Sequence, residues 1–195
     1  MSRDRLILAS RSPQRRAILE QLGIAFEVRV PDVEELESGP PHEVAVENAY
    51  RKATAVARGV SDSLVLGVDT VVSIGPRIHG KPADVAAARA MLAALSGRRH
   101  AVISGVCVVA PSATKTAAAT TLVEFRALDD RLIDWYLTSE EWRGRAGGYA
   151  IQGRGAALVA GIEGDYSNVV GLPVTTLLEL MPGLLTGTPD KPSAI

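Results

Sequence analysis

Apolar and polar positions alternate in blocks along this chain, and their spacing predicts strands and helices in turn. Apolar runs predict strands over 6–9, 64–74, 101–110, 118–125 and 158–162, and alternating apolar residues predict one more near 26–30. Helical spacing, caps and stop signals predict helices over 12–22, 42–57, 84–96, 129–137 and 173–180. Strands that alternate with helices indicate an α/β fold, and the hairpin predicted between 101 and 125 makes the sheet mixed.

The size and composition of the chain fit one folded domain. Its 195 residues are 47% hydrophobic and 22% charged, which is typical of globular proteins. We expect a single domain over 1–182 and a flexible tail over 183–195. The net charge is -1, so the protein lacks the overall positive charge that attracts a nucleic-acid polymer. Aromatic residues make up only 4%, which leaves few side chains on which bases could stack. An RNA-binding module is therefore disfavoured.

The chain has one cysteine, Cys107, which excludes an internal disulfide and a cysteine zinc site. It lies in an apolar run and is expected to be a small buried residue. No stretch approaches the roughly 20 apolar residues that span a bilayer, and the first apolar run is too short for a signal peptide. We expect a cytoplasmic protein without a membrane partner.

A basic segment over 10–16 joins the first predicted strand to the first predicted helix. Its serines and Pro13 are typical of a helix N-terminus, where backbone N–H groups and the helix dipole favour anions. Arg11, Arg15 and Arg16 are unusual there, because the dipole repels cations. The segment is either an anion site, which we favour, or a solvated basic turn.

Asp69 interrupts the most hydrophobic predicted strand. Because an unpaired carboxylate is costly to bury, we expect it at a strand end or bulge that faces a cleft. Its functional interpretations are a metal ligand or a general base, and the alternative is a hydrogen-bonded structural aspartate.

Two glycine-flanked segments carry further polar candidates. Lys81, between Gly80 and Pro82, nearly completes a P-loop but lacks the following Ser or Thr; it is either a phosphate-facing cation or a solvated lysine. Gln152 follows a glycine-rich stretch and can both donate and accept hydrogen bonds to a base edge, although an ordinary turn explains it equally well.

These segments together resemble the Maf family of nucleoside triphosphate pyrophosphatases. The matching pieces occur in family order from residue 6 to about 182, and the ordered set is far more specific than any one of them. They are Leu8-Ala9-Ser10, Ser12-Pro13, Arg15, Glu34-Glu35, Lys52, Asp69-Thr70, Gly80-Lys81-Pro82, Tyr149 to Gly153, and Gly171-Leu172-Pro173.

The resemblance implies an elongated mixed sheet flanked by helices, with two lobes around a central cleft, as in Maf and inosine triphosphate pyrophosphatase folds. It implies hydrolysis between the α- and β-phosphates of a nucleotide, a divalent cation such as Mg²⁺ or Mn²⁺, a role in nucleotide house-cleaning or division arrest, and often a homodimer. By resemblance Asp69 is the proton acceptor. Arg15, Thr70 and Gln152 are tied to substrate choice, and Ser10, Glu35, Lys52 and Lys81 match other cleft positions.

From these roles follows a mechanistic hypothesis for the cleft. The cations Arg15, Lys52 and Lys81 are expected to hold the phosphates, with Glu35 and Asp69 helping to hold the metal. The hypothesis requires these groups to share one cavity.

One position departs from the family pattern. Gln14 stands where an arginine is common, and Arg16 comes two residues later on another side of the helix, so phosphate affinity is in question. Thr70 and Gln152 resemble the branch that acts on dTTP and UTP, which we favour, whereas the Ser-Pro-x-Arg-Arg spelling resembles the 7-methyl-GTP branch. A non-catalytic nucleotide-binding regulator is the alternative from another class.

Overall fold

A computed structural model describes residues 5–186 of the chain. It contains one seven-stranded sheet and six α-helices over that range. The strands are β1 (Arg5–Ala9), β2 (Phe26–Arg29), β3 (Ser63–Ile74), β4 (Arg77–His79), β5 (Arg99–Val109), β6 (Thr114–Phe125) and β7 (Val159–Glu163). The helices are α1 (Pro13–Gln21), α2 (Pro41–Ala57), α3 (Val85–Leu95), α4 (Asp130–Leu137), α5 (Tyr166–Val170) and α6 (Val174–Leu180).

The sheet is mixed, as the sequence predicts. Its strand order is β2-β1-β3-β5-β6-β7, and β4 pairs with β3 outside this path. Strands β2, β1 and β3 run parallel, while β3, β5, β6 and β7 pair antiparallel. The predicted hairpin is β5–β6. None of the helices between residues 5 and 186 is both long and apolar enough to cross a membrane.

Alternate residues of β3 face two different layers of the protein. On one face Leu66 and Val68 pack with α1 and α6 residues, and Val72 packs further along with α3 and α4 residues. Thr70 lies on that face between these two apolar clusters. On the other face Val65 packs beneath α2. The core is thus divided into separate apolar clusters along β3.

Helix α2 lies unusually close to the sheet because two glycines face it. A Cβ atom on Gly67 would meet the Ala49 carbonyl oxygen at 2.3 Å, and one on Gly105 would meet that of Ala45 at 2.2 Å. Any side chain at these glycines would force the helix away from the sheet. The contact therefore fixes which residues of α2 stand over the following positions of β3.

One edge of β3 is interrupted. Strand β1 pairs with it only as far as Gly67, and β4 pairs with it only from Val72 onward. Within the described residues, 68–71 therefore have no strand partner on this edge. Because β1 runs parallel to β3 and β4 runs antiparallel, the segments after both strands leave toward this gap. They begin with Ser10 after β1 and with Gly80 after β4.

The structure corrects several expectations. Strand β3 is continuous through Asp69, which pairs in register with Gly105, so Asp69 lies at neither a strand end nor a bulge. The tight approach of α2 over Gly67 and Gly105 accommodates this polar residue, because the helix brings its own polar side chains to it. Sequence patterns also missed β4 and α5, which are only three and five residues long. In the expected tail, residues 183–186 form a turn, and 187–195 lie outside the described residues.

Candidate active site

Asp69 is a buried carboxylate held by two residues of α2. Its side chain faces the same side of β3 as Gly67, two residues earlier, and so meets the helix that packs there. Lys52 Nζ lies 2.6 Å from Asp69 Oδ1, and Asn48 Nδ2 donates to Asp69 Oδ2 over 3.1 Å. Asn48 and Lys52 are four residues apart and share one helix face. Each carboxylate oxygen therefore has one protein donor and retains acceptor capacity for a further one.

Lys52 joins two carboxylates. Besides Asp69, its ammonium contacts Glu35 Oε1 at 2.8 Å, although the Lys52 side chain is only 7% exposed. The second oxygen of Glu35 lies 4.0 Å from Lys81 Nζ, and the Lys81 side chain is 62% exposed. Lys52 thus offsets charge inside the site, while Lys81 is free to meet an anion that arrives from solvent. These four residues form what we call the charged cluster.

Arg15 is buried and anchored at three points on the other face of the sheet. Its Nε donates to the Gly171 carbonyl over 2.8 Å, Nη1 to Ser10 Oγ over 3.2 Å and Nη2 to Thr70 Oγ1 over 3.1 Å. The guanidinium carries five N–H donors, so it retains two beyond these bonds. Burial lowers the pKa of Arg15, and the charges of Asp69 and Glu35 act in the opposite direction. The sensitivity to both carboxylates shows that Arg15 lies within electrostatic reach of the charged cluster.

The N-terminus of α1 is built as the sequence predicts. Ser12 is the N-cap, and its hydroxyl oxygen accepts the Arg15 amide over 3.4 Å. Ser10 is buried and accepts the Ser12 amide as well as Arg15 Nη1. Gln14 folds back to accept a hydrogen bond from the Ser12 hydroxyl. Arg16, by contrast, is exposed, so it does not replace an arginine at position 14 within the site.

The Thr70 hydroxyl already has two hydrogen-bond partners within the protein. It lies 2.8 Å from Ser104 Oγ in addition to its bond from Arg15. Ser104 pairs with Thr70 in the register of β3 and β5, so the two side chains share a face. Any contact of Thr70 with a ligand must therefore share its hydroxyl with Arg15 and Ser104.

The glycine-rich loop after α4 is attached to the segment that carries Lys81. The Gly147 amide donates to the Gly80 carbonyl over 3.0 Å, and a Cβ on Gly147 would meet Val72 of β3 at 2.9 Å. Gln152 of this loop is exposed and begins a short 3₁₀ turn over Gly153–Leu158. No described hydrogen bond joins Gln152 to the charged cluster, so its role in reading a base stays a prediction.

The carboxylates fit a metal that a substrate brings with it. Among residues 5–186, no three His, Cys, Asp or Glu side chains are grouped so that they could hold a metal ion by themselves. Mg²⁺, however, commonly uses one or two carboxylates together with phosphate oxygens and water. Glu35 and Asp69 meet at one ammonium and supply such a pair.

Sequence reasoning missed two contributors to this arrangement, Asn48 and Ser104, and it named the Gly171-Leu172-Pro173 segment without the contact of the Gly171 carbonyl with Arg15. Asn48 had a detectable signal, because a polar residue one helical turn before Lys52 lies on the same face of the predicted helix. The other two depend on strand register and on a contact across 156 residues, which spacing does not reveal.

The fold and the site together define an α/β protein whose mixed sheet carries a buried ion-pair cluster beside a gap in the edge of β3. Comparison with known proteins places the chain more closely. Residues 5–184 match the family model described as Maf-like protein, and the chain belongs to this family. The resemblance inferred from the sequence is thereby confirmed.

Similar proteins cover nearly the whole chain. The dTTP/UTP pyrophosphatase of Symbiobacterium thermophilum is 45% identical over 91% of this chain and 93% of its own length. The dTTP/UTP pyrophosphatase of Pyrococcus furiosus is 41% identical over 91% of this chain and 94% of its own. A solved structure of the Staphylococcus aureus Ham1 protein matches with a TM-score of 0.47 at 19% identity, over 63% of this chain and 72% of that one.

Proposed function

We propose that this protein hydrolyses the α–β phosphoanhydride bond of nucleoside triphosphates and releases a nucleoside monophosphate and pyrophosphate. Its preferred substrates are pyrimidine nucleotides, dTTP and UTP. The proposal is supported by the activity named for relatives that are 41–45% identical over most of the chain. Such substrates belong to the cytoplasmic nucleotide pool, in keeping with the location expected from the sequence.

The observation that carries the proposal is the buried Asp69 carboxylate between Lys52 and Asn48. Hydrolysis of a phosphoanhydride requires a positioned water molecule and neutralised phosphate charge, with little covalent help from the protein. Asp69 is held in one orientation and retains lone pairs with which to orient water or accept its proton. Lys52 offsets the charge of this carboxylate without blocking all of its acceptor sites.

Positive groups approach this carboxylate from two faces of the sheet. On one face lie Lys52 and the exposed Lys81, which can close on a phosphate. On the other face Arg15 contributes a fixed positive charge and two unassigned N–H donors, beside the N-terminus of α1. Together they are suited to bind the triphosphate and to stabilise negative charge on the departing pyrophosphate.

A divalent cation is part of the proposal. Glu35 and Asp69 are the residues that would hold Mg²⁺ or Mn²⁺ with the substrate. When bound, the ion supplies Lewis-acid neutralisation of phosphate oxygens. The contribution of the chain is to keep both carboxylates close together beside the Lys52 ammonium.

The names of the relatives favour pyrimidine nucleotides over 7-methyl-GTP, which the Ser-Pro-x-Arg-Arg spelling of the first helix left open. Thr70 and Gln152 are proposed to select the base, Thr70 from its position beside Arg15 and Gln152 from an exposed position at the end of the loop that Gly147 attaches to Gly80.

Pyrophosphate release tests the proposal directly. Purified protein is assayed against canonical triphosphates and 7-methyl-GTP with Mg²⁺, Mn²⁺ or Co²⁺, and nucleotide binding is measured on the same sample. We expect monophosphate and pyrophosphate in equal amounts, fastest with dTTP or UTP, and no turnover with a chelator. Tight binding without turnover under every condition would instead identify a nucleotide-binding regulator.

A further inference from the structure

Asn48 is a buried amide that connects the charged cluster to the loop before α2. It is only 2% exposed. Its Oδ1 accepts the Leu36 amide over 2.7 Å, and its Nδ2 donates to the Leu36 carbonyl over 3.0 Å. The same Nδ2 donates to Asp69 Oδ2 over 3.1 Å. One side chain thus binds both backbone groups of Leu36 and one oxygen of the buried carboxylate.

The partners fix the orientation of this amide. The Leu36 N–H can only donate and so requires the Asn48 oxygen, whereas an ionised Asp69 can only accept and so requires the Asn48 nitrogen. Both N–H groups of Nδ2 are then used, one on the Leu36 carbonyl and one on Asp69. Rotation of the amide by 180° would break all three bonds.

Leu36 directly follows Glu35, so the amide also determines where that carboxylate stands. The loop between β2 and α2 is largely exposed and forms no regular secondary structure. Two short bonds from the rigid helix hold Leu36, and Glu35 reaches the Lys52 ammonium from that position. Asn48 therefore sets the placement of Asp69 directly and that of Glu35 through the backbone.

We propose that Asn48 is a positioning residue that keeps Asp69 and Glu35 on the same ammonium in the geometry that hydrolysis requires. The kinetic part of this inference rests on the proposed function, whereas the tether between Asn48 and the loop does not. Asn48 touches neither of the cations that face the phosphates, Arg15 and Lys81, and its loss should affect kcat more than KM.

Two variants separate its two contacts. Asn48→Ala removes all three hydrogen bonds. Asn48→Asp preserves an acceptor for the Leu36 amide but removes the donor to the Leu36 carbonyl and to Asp69, and it places a second carboxylate beside Asp69. Asn168→Ala is the matched control, because Asn168 is also fully buried and its Nδ2 donates to the Val102 carbonyl and Thr121 Oγ1, away from the charged cluster.

Hydrogen exchange of the Leu36 amide tests the tether without an activity assay. We expect exchange at least about tenfold faster in Asn48→Ala, little change in Asn48→Asp, and no change in the Asn168→Ala control. Unchanged protection of Leu36 in Asn48→Ala would overturn the tether.

Kinetics test the positioning role. In Asn48→Ala we expect kcat to fall by roughly 10²-fold, the scale of a misplaced reacting group, with KM changed much less. In a double-mutant cycle with Glu35→Gln the two losses should be less than additive, because both variants disturb the contact of Glu35 with Lys52. Losses that add fully, or a kcat effect no larger than that of Asn168→Ala, would contradict the proposal.

The kinetics of Asn48→Asp test the contact with Asp69 separately from the tether, because this variant keeps an acceptor for the Leu36 amide but lacks the donor to the carboxylate. We expect kcat to fall in Asn48→Asp although the Leu36 amide stays protected from exchange, a combination that a purely structural role would not produce. Wild-type kcat in Asn48→Asp would overturn the contact with Asp69. A wild-type protein that is inactive on every triphosphate, yet protects Leu36, would overturn the proposed function and leave the tether standing.

Discussion

Asp69 and Thr70 are neighbours in β3, yet their side chains lie on opposite faces of the sheet. Asp69 meets Lys52 and Asn48 of α2, whereas Thr70 meets Arg15 of α1 and Ser104 of β5. Two adjacent positions of β3 therefore contact the charged cluster on one face of the sheet and the anchored Arg15 on the other. Both residues lie in the gap in the edge of β3.

Replacement of Asp69 by Asn should preserve the shape of the site and remove its charge. We expect kcat for pyrophosphate release to fall by roughly 10²-fold or more, which is the scale for loss of a positioned base. Asp129→Asn is the control, because Asp129 is the exposed N-cap of α4 and Asn caps a helix about as well. Near wild-type turnover of Asp69→Asn would show that Asp69 is not the base.

Replacement of Arg15 by Lys should be far from conservative. A lysine keeps the charge but cannot reproduce three directed bonds to Gly171, Ser10 and Thr70. We expect kcat/KM to fall at least about tenfold, and chemical denaturation to show a loss of roughly 1–3 kcal/mol from the acceptors left without partners. Arg16→Lys, at the exposed neighbouring position, should change neither quantity. Equal behaviour of the two variants would contradict the anchoring role of Arg15.

Substitution of Gly67 by Ala should reduce activity by displacing helix α2. The new methyl group would lie 2.3 Å from the Ala49 carbonyl oxygen, so α2 must move and carry Lys52 with it. We expect a loss of roughly 1–3 kcal/mol in the free energy of unfolding together with a lower kcat. The control is Gly161→Ala in β7, where no atom lies within 4 Å of an added Cβ. A fully active and stable Gly67→Ala variant would disprove the close packing of α2.

His100 should make the protein sensitive to mild acid. It is buried against Phe125, and its Nε2 lies 2.8 Å from the Tyr149 hydroxyl. Burial lowers the pKa of His100 to about 4, from an ordinary value of 6.5. Between those two values the unfolded chain binds a proton that the folded protein does not, so stability falls as the pH is lowered from about 6.5 to about 4.

The difference in pKa corresponds to at most about 3 kcal/mol. His100→Gln should flatten this part of the curve of unfolding free energy against pH, measured by urea titration at each pH. The same substitution at the exposed His42 should leave the slope as in the wild type. An identical slope in all three proteins would rule out His100 as its origin.

Gln152→Glu should alter which base is preferred more than the rate on the best one. A carboxylate cannot donate the hydrogen bond that an amide donates to a base edge, and it adds a negative charge. We expect the ranking of dTTP, UTP, CTP and GTP by kcat/KM to change. Arg154→Gln, two residues further along the same exposed loop, serves as the control. An unchanged ranking would reject Gln152 as a base reader.

Much of the fold follows from local signals in the sequence. The caps at Ser12, Asp84 and Asp129 mark the starts of three helices within one residue. These signals are reliable because a cap satisfies backbone donors that the helix itself cannot. The short elements β4 and α5 escape such reasoning, since three or five residues carry too little periodicity.

The site was only partly accessible from sequence. The mechanistic hypothesis assigns Lys52 to the phosphates and Glu35 with Asp69 to a metal, and the structure brings all three together at the Lys52 ammonium, while their roles stay predictions. The prediction that Asp69 lies at a strand end or bulge was wrong, because it took a polar residue within an apolar run as a sign that the strand is interrupted. The strand continues since Lys52 and Asn48 approach from α2 and satisfy the carboxylate. That compensation depends on tertiary contacts between distant segments.

Helix α2 rests on the sheet through its alanines and reaches Asp69 through Asn48 and Lys52. Removal of a single residue between Ala45 and Asn48 would turn the later part of the helix by about 100° relative to the earlier part. The close contacts of Ala45 and Ala49 with the sheet and the contacts of Asn48 and Lys52 with Asp69 could not then form at the same time. Evolution must therefore preserve the spacing within this helix.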